Sequence, residues 1–198
     1  MIAETKFPSI AAQEQVAQRR GDFMQTFTGR RFWPLDPRPE DVAIEDIAHS
    51  LSLQVRYAGH CLRFYSVAEH CVLLARAASP EHARWALLHD AAEAYLVDLP
   101  RPLKRHLSGY GPAEIKVMGC ICFAFGLDGV MPAEVKALDN RILMDERAQK
   151  MRPTGETWNY GGATRPLGVT LQFWSPEQAE REFLATFATL FLTPESQP

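Results

Sequence analysis

No apolar run in the 198-residue sequence approaches the ~20 residues that a membrane-spanning helix needs. The opening residues, Met1 to Phe7, mix acid and base and lack the basic-then-apolar order of a secretory leader. Four cysteines (Cys61, Cys71, Cys120 and Cys122) form no C-x-x-C pair and are too few to staple a chain this long. They read as reduced, small core side chains of a cytoplasmic protein. A basic surplus is missing too: 21 Lys+Arg stand against 24 Asp+Glu, a formal charge of −3. That balance argues against a nucleic-acid polymer or an anionic membrane as partner, so any anionic ligand must be held by a local cluster. What is present, 46% hydrophobic and 23% charged residues with no repeat or low-complexity tract, is the make-up of one globular domain over residues 1–198.

Helical periodicity with Pro/Gly punctuation dominates the chain, which predicts an all-α fold. A short helix is expected over 8–20, followed by a Pro-rich extended arm over 28–39. Ile44, Ile47, Ala48, Leu51 and Val55 mark a helix over 44–55. Ser66-Val67-Ala68-Glu69 has the S-x-x-E form of a capping box and opens another, ending near Ala78. Ser79-Pro80-Glu81 signals a helix running to about Leu96. Further helices are expected after Gly109–Pro112 to about Phe125, from Pro132 to about Met151, and from Ser175 over the last apolar stretch. Residues 152–174 read as a loop or small hairpin. The apolar face of the last helix either closes its own core or buries against a second copy in a homodimer.

The informative residues break these patterns. His89 and Asp90 fall on the Ala/Leu-rich side of the 80–96 helix, and Glu93 projects from the same side. Asp139 lies among Val135, Ile142 and Leu143, and His70 lies in line with Val67 and Leu74. A buried, unpartnered carboxylate costs several kcal/mol, so partners are required. A divalent cation would satisfy both histidines and both aspartates together, because imidazole nitrogen and carboxylate oxygen are ordinary ligands of such ions. Each residue alone has a plainer explanation: a hydrogen-bonded core histidine, or an Asp139 that caps or pairs with Arg141 or Arg147. A metal-free buried polar network is the corresponding alternative for the group.

The order His70, His89-Asp90, Asp139 resembles the H…HD…D signature of the HD-domain phosphohydrolase superfamily. The words FYSVAEH (64–70), ALLHDAAEAYLVDLPRPLK (86–104) and ALDNRILMDE (137–146) resemble its 5′-deoxynucleotidase branch. IEDIAHSLSLQVRYAGH (44–60) is similar to phage and bacterial relatives that include dATP triphosphohydrolases. The resemblance is strongest over 28–150. It implies one divalent metal (Mn, Co, Fe or Zn) held by His70, His89, Asp90 and Asp139, with Asp90 and Glu93 as the catalytic carboxylates and Glu93 assisting the attacking water.

The same resemblance implies substrate contacts at Arg56 and Tyr57, where better-studied relatives have Trp at the second position, and at Asp98 and Lys104. Gly59 permits close backbone approach and His60 either donates to phosphate or bonds within its turn. The alternative for Lys104 is a solvated surface amine, and capping already explains Glu69. Phe32 and Trp33 lie either over the pocket or packed beneath the arm. The implied activity is release of phosphate from a deoxynucleoside monophosphate by metal-activated water. Triphosphate release from a dNTP, for which Arg63, Arg101 and Arg105 would supply charge, and a non-catalytic nucleotide-binding helical domain are the alternatives.

Overall fold

The structure, a computed structural model, describes residues 19–192. The helix expected over 8–20 falls almost wholly outside these residues. Within them the fold is a helical bundle preceded by an arm, in agreement with the all-α reading. The arm starts as a very short antiparallel hairpin, β1 (Met24–Gln25) against β2 (Arg31–Phe32), with Met24 opposite Phe32. Gly29, at φ +82°, closes its turn in a conformation that side-chain-bearing residues rarely adopt. A Pro-rich stretch and a 3₁₀ turn at Pro39–Asp41 follow. Phe32 is fully buried and stacks on Tyr95 at 3.8 Å between ring centroids, while the Arg19 guanidinium covers Trp33. Both aromatics therefore pack beneath the arm and pin it to the bundle.

The helices are α1 (Ile44–Leu53), α2 (Val67–Ala77), α3 (Ala83–Leu88), α4 (Glu93–Leu96), α5 (Arg101–Lys104), α6 (Tyr110–Phe125), α7 (Ala133–Lys150) and α8 (Pro176–Phe191). Capping explains where several begin. The Ser66 hydroxyl accepts from the Glu69 N–H at 3.0 Å and the Ser175 hydroxyl accepts from the Gln178 N–H at 3.3 Å. Gly126, in the left-handed conformation, ends α6. The central helix is α2, buried from Val67 through Ala75 and packed against α1, α3, α7 and α8. Helix α8 lies across α1, α2 and α3, so Ala179, Phe183 and Phe187 fill the core of their own chain. Leu184, Leu190 and Phe191 on the same helix pack against that core half-buried. Cys71 and Cys122 are buried, Cys61 and Cys120 half-buried, and all four are free thiols.

The helix expected over 80–96 is two helices. Both its Ser79 N–H and its Ser79 hydroxyl donate to Glu134, at 3.0 and 2.6 Å, so Ser79 staples the 79–82 turn to α7 and α3 starts only at Ala83. Between α3 and α4 the backbone tightens to i→i+3 bonds, with Ala91 N–H on Leu88 O and Glu93 N–H on Asp90 O. Residues 152–174 form an irregular loop, with no hairpin among the described residues.

Glu69 does more than cap. Its carboxylate accepts the backbone N–H groups of Gln172 (2.7 Å), Phe173 (3.0 Å) and Trp174 (2.8 Å), tying the end of that loop to the first turn of α2. Phe173 sits at φ +57°, a conformation this clamp helps to hold. Glu69→Ala strands these donors beneath the loop. With ~1–3 kcal/mol for each orphaned buried group, urea denaturation should show a loss of at least about 2 kcal/mol, and an unchanged midpoint would mean that the loop is held elsewhere.

Candidate metal centre and adjoining cavity

Three parts of the chain bring His70, His89, Asp90 and Asp139 together. His70 stands in the first turns of α2, Asp139 in the second turn of α7, and His89-Asp90 in the tightened segment after α3. His70 is fully buried, His89 and Asp139 nearly so, and Asp90 half-buried. The His70 and His89 Nε2 atoms are 3.2 Å apart. Asp90 Oδ2 is 3.2 Å from His89 Nε2 and 3.6 Å from His70 Nε2, and Asp139 Oδ1 is also 3.6 Å from His70 Nε2. The tight turn matters here, because it swings two sequence neighbours toward one point.

These residues fit a divalent ion. Metal–nitrogen and metal–oxygen bonds of ~2.0–2.2 Å place neighbouring ligand atoms roughly 3–3.6 Å apart around one ion, the spacing found here. Both histidines present Nε2 because Nδ1 is committed: that of His89 donates to Ala86 O at 2.8 Å, and that of His70 meets Glu146 Oε1 at 2.8 Å. Such partners fix the tautomer and orient the ring. Two carboxylates match a 2+ charge, and a mixed nitrogen and oxygen set suits Mn, Co, Fe or Zn alike. Cys71, His89 and Asp90 form a second, overlapping cluster. Cys71 Sγ, however, faces the committed Nδ1 edge of His89 at 4.0 Å, and burial pushes its thiol up and keeps it protonated.

The surroundings are charged. Asp139 Oδ2 accepts from Arg101 at 2.7 Å and Lys136 at 3.0 Å, leaving Oδ1 toward His70. Arg56 is buried between two carboxylates, with Nη1 3.5 Å from Asp90 and Nε 3.4 Å from Glu146. Glu93 is buried, with Oε2 unpartnered among the described residues and Oε1 3.8 Å from Lys104. Burial first, and then the charges of Asp90 and Asp98, push its carboxyl up to about 10. Lys104 is also held by Glu114, so it is a paired amine lying off the cavity wall.

A cavity of about 540 Å³ adjoins this centre, with Tyr57, Asp98, Arg101, Arg105, Leu143 and Trp158 among its walls. Arg101 belongs to both, through its bond to Asp139. So does Tyr57, whose hydroxyl donates to Glu146, the carboxylate behind His70. Gly59 and His60 are exposed and do not border the cavity. Strained backbone flanks it: Tyr57 (φ +59°), Ala58 (+50°) and Val97 (+70°) are non-glycine residues in the left-handed region. Sequence reasoning passed over Glu146 and Trp158. Glu146 had a signal, since it lies two helical turns beyond Asp139 on an apolar face, whereas nothing local marks Trp158.

The Glu93 environment predicts a pH dependence. Its folded value of about 10 exceeds the ~4.3 of an unfolded chain, so the folded state binds this proton more tightly. The stabilisation is therefore complete below about pH 4 and is lost as pH rises toward 10. In chelator, the urea midpoint of the wild type should fall with pH relative to Glu93→Gln across pH 5–9. Parallel pH profiles would contradict a buried, protonated Glu93.

No protein-family model matches the chain. The chain is similar to the uncharacterized protein YfdR of Escherichia coli, with 43% identity over 136 residues that cover 69% of this chain and 76% of that protein. It is also similar to the uncharacterized protein RCAP_rcc00048 of Rhodobacter capsulatus, with 40% identity over 124 residues, 58% of this chain and 63% of that protein. Neither name carries an activity. By the extent and identity of the first match, the chain belongs to the same family as YfdR.

Proposed function

We propose that this protein is a metal-dependent phosphohydrolase of the HD-domain type, one such domain, that acts on a small deoxynucleotide and most simply releases phosphate from a deoxynucleoside monophosphate. The observation that carries the reading is the convergence of His70, His89, Asp90 and Asp139 beside a cavity with basic residues on its wall. A divalent ion held there supplies Lewis acidity toward a phosphate oxygen and lowers the pKa of a water.

The chain's own residues do the rest. The Glu93 carboxylate takes or orients the proton of the attacking water. Burial first, and then the charges of Asp90 and Asp98, hold it protonated in the metal-free protein, and a cation on Asp90 would offset the Asp90 part of that shift. Arg101 and Arg56 offset charge that develops on phosphoryl oxygens. Tyr57, Leu143 and Trp158 give the cavity apolar walls that seat the organic part of the substrate and exclude water. Asp98 also lines the wall, and in this reading it accepts from a sugar hydroxyl.

One observation favours a second reading, release of triphosphate from a dNTP. Arg101 and Arg105 both line the cavity, enough positive charge for a longer phosphate chain, whereas Arg63 is spent over the ring of Phe173. A panel of dNMPs, dNTPs and ribonucleotides with several divalent ions separates the two: phosphate from dNMPs supports the first, triphosphate from dNTPs the second. Hydrolysis of none of them with any ion would overturn both.

The variants should divide into two kinds. His89→Ala or Asp139→Ala should lose bound metal and activity together. Glu93→Ala should retain the metal while turnover falls by about 10²–10⁴-fold, the usual weight of a general base. Wild-type turnover in Glu93→Ala would remove Glu93 from the reaction.

A further inference from the structure

Glu146 is fully buried on α7 and has no part in the chemistry above. Its two oxygens serve different clients. Oε1 meets His70 Nδ1 at 2.8 Å and Arg56 Nε at 3.4 Å. Oε2 accepts from the Tyr57 hydroxyl and lies 3.8 Å from Lys150 Nζ. Burial opposes its charge, but Arg56, His70 and Lys150 outweigh it and keep the carboxylate ionised. Burial and the Glu146 charge push the Tyr57 phenol up, so it stays a donor.

Lys150 completes the arrangement. It is also fully buried, its ammonium lies 3.6 Å from the ring centre of Tyr65 and 4.2 Å from that of Tyr57, and among the described residues it has no hydrogen-bond acceptor. Burial brings it down to about 7. A buried amine so poorly served is tolerated because Glu146 and two aromatic faces surround it.

Tyr57 is at the same time a cavity wall and the first residue of a left-handed turn, Tyr57 to Gly59, that the chain would not hold unaided. A non-glycine residue in that region costs on the order of 1–3 kcal/mol and persists only where its surroundings over-determine it. The hydroxyl bond to Glu146 is such a determinant.

We propose that Glu146 is a positioning residue that couples the cation grip of His70 to the seating of the Tyr57 wall. One carboxylate orients the metal-facing imidazole with one oxygen and fixes the substrate-facing phenol with the other. Coupling of this kind is reciprocal in free energy: whatever loosens the wall loosens the ion, and the converse. The inference rests on the metal reading of the site, and its test separates the two.

The test is Zn²⁺ affinity by competition with a chromophoric chelator for wild type, Tyr57→Phe, Glu146→Gln and the double variant. Tyr57 ligates nothing, yet Tyr57→Phe should weaken zinc about fivefold or more. Glu146→Gln should weaken it about 10–100-fold, as loss of an orienting partner does, and the double variant should bind no more weakly than Glu146→Gln alone. A merely structural hydroxyl would lower thermal stability and leave zinc affinity untouched. Tyr57→Phe matching a zinc-binding wild type, or losses that multiply in the double variant, would overturn the coupling and spare the metal reading. A wild type that takes up no zinc would overturn both. Should Glu146→Gln not fold, Tyr57→Phe keeps the ring and its packing and decides alone.

Discussion

In the helical core the Nε2 atom of His70 lies 3.2 Å from that of His89 and 3.6 Å from carboxylate oxygens of both Asp90 and Asp139, a gathering of lone pairs and negative charge that repels unless something positive lies among them. Protonation of an imidazole relieves part of that repulsion, and Arg101 and Lys136 relieve part at Asp139. A divalent cation meets both Nε2 lone pairs and the facing carboxylate oxygens at one point while both Nδ1 atoms stay committed behind them. The remaining features of the molecule arrange themselves around that need.

Rigid elements supply the ligands, which suits a centre that must keep its geometry. His70 comes from α2, the most enclosed helix, and Asp139 from α7 packed against it. The His89-Asp90 pair comes from a short departure from α-helical geometry rather than from regular helix. The cavity, in contrast, is walled by irregular chain: the strained Tyr57 turn, the Pro-rich segment before α5 and the 152–174 loop that carries Trp158. A rigid grip with walls of more variable chain is a common division of labour in proteins that bind small molecules.

Local signals told most of this in advance. Ser66, and Ser175 with Pro176, place two helix starts within a residue, and Pro132 marks that of α7, because capping and φ restriction are short-range effects. The metal quartet was legible because each member is polar where helical spacing requires an apolar residue. The break at His89 was not, since i→i+3 tightening leaves no distinct residue pattern in an Ala-rich run. Ser79 was misread because its true partner, Glu134, lies 55 residues away. For the same reason capping exhausted the role expected of Glu69, whose three backbone partners lie more than 100 residues downstream. Tyr57 and Glu146 are 89 residues apart, and no periodicity links them. Lys104, a cation expected at substrate, stands 3.8 Å from Glu93 and is held by Glu114, ten residues further on and equally out of reach of local pattern.

In this reading the core grips one divalent ion. Elemental analysis of the full chain purified without added metal, paired with thermal unfolding before and after chelation, decides it. Close to one transition-metal ion per chain is expected, with a transition that falls on chelation and recovers with added ion. No stoichiometric metal, together with an unfolding transition indifferent to every divalent ion, would leave the core without a cation and the reading without its basis.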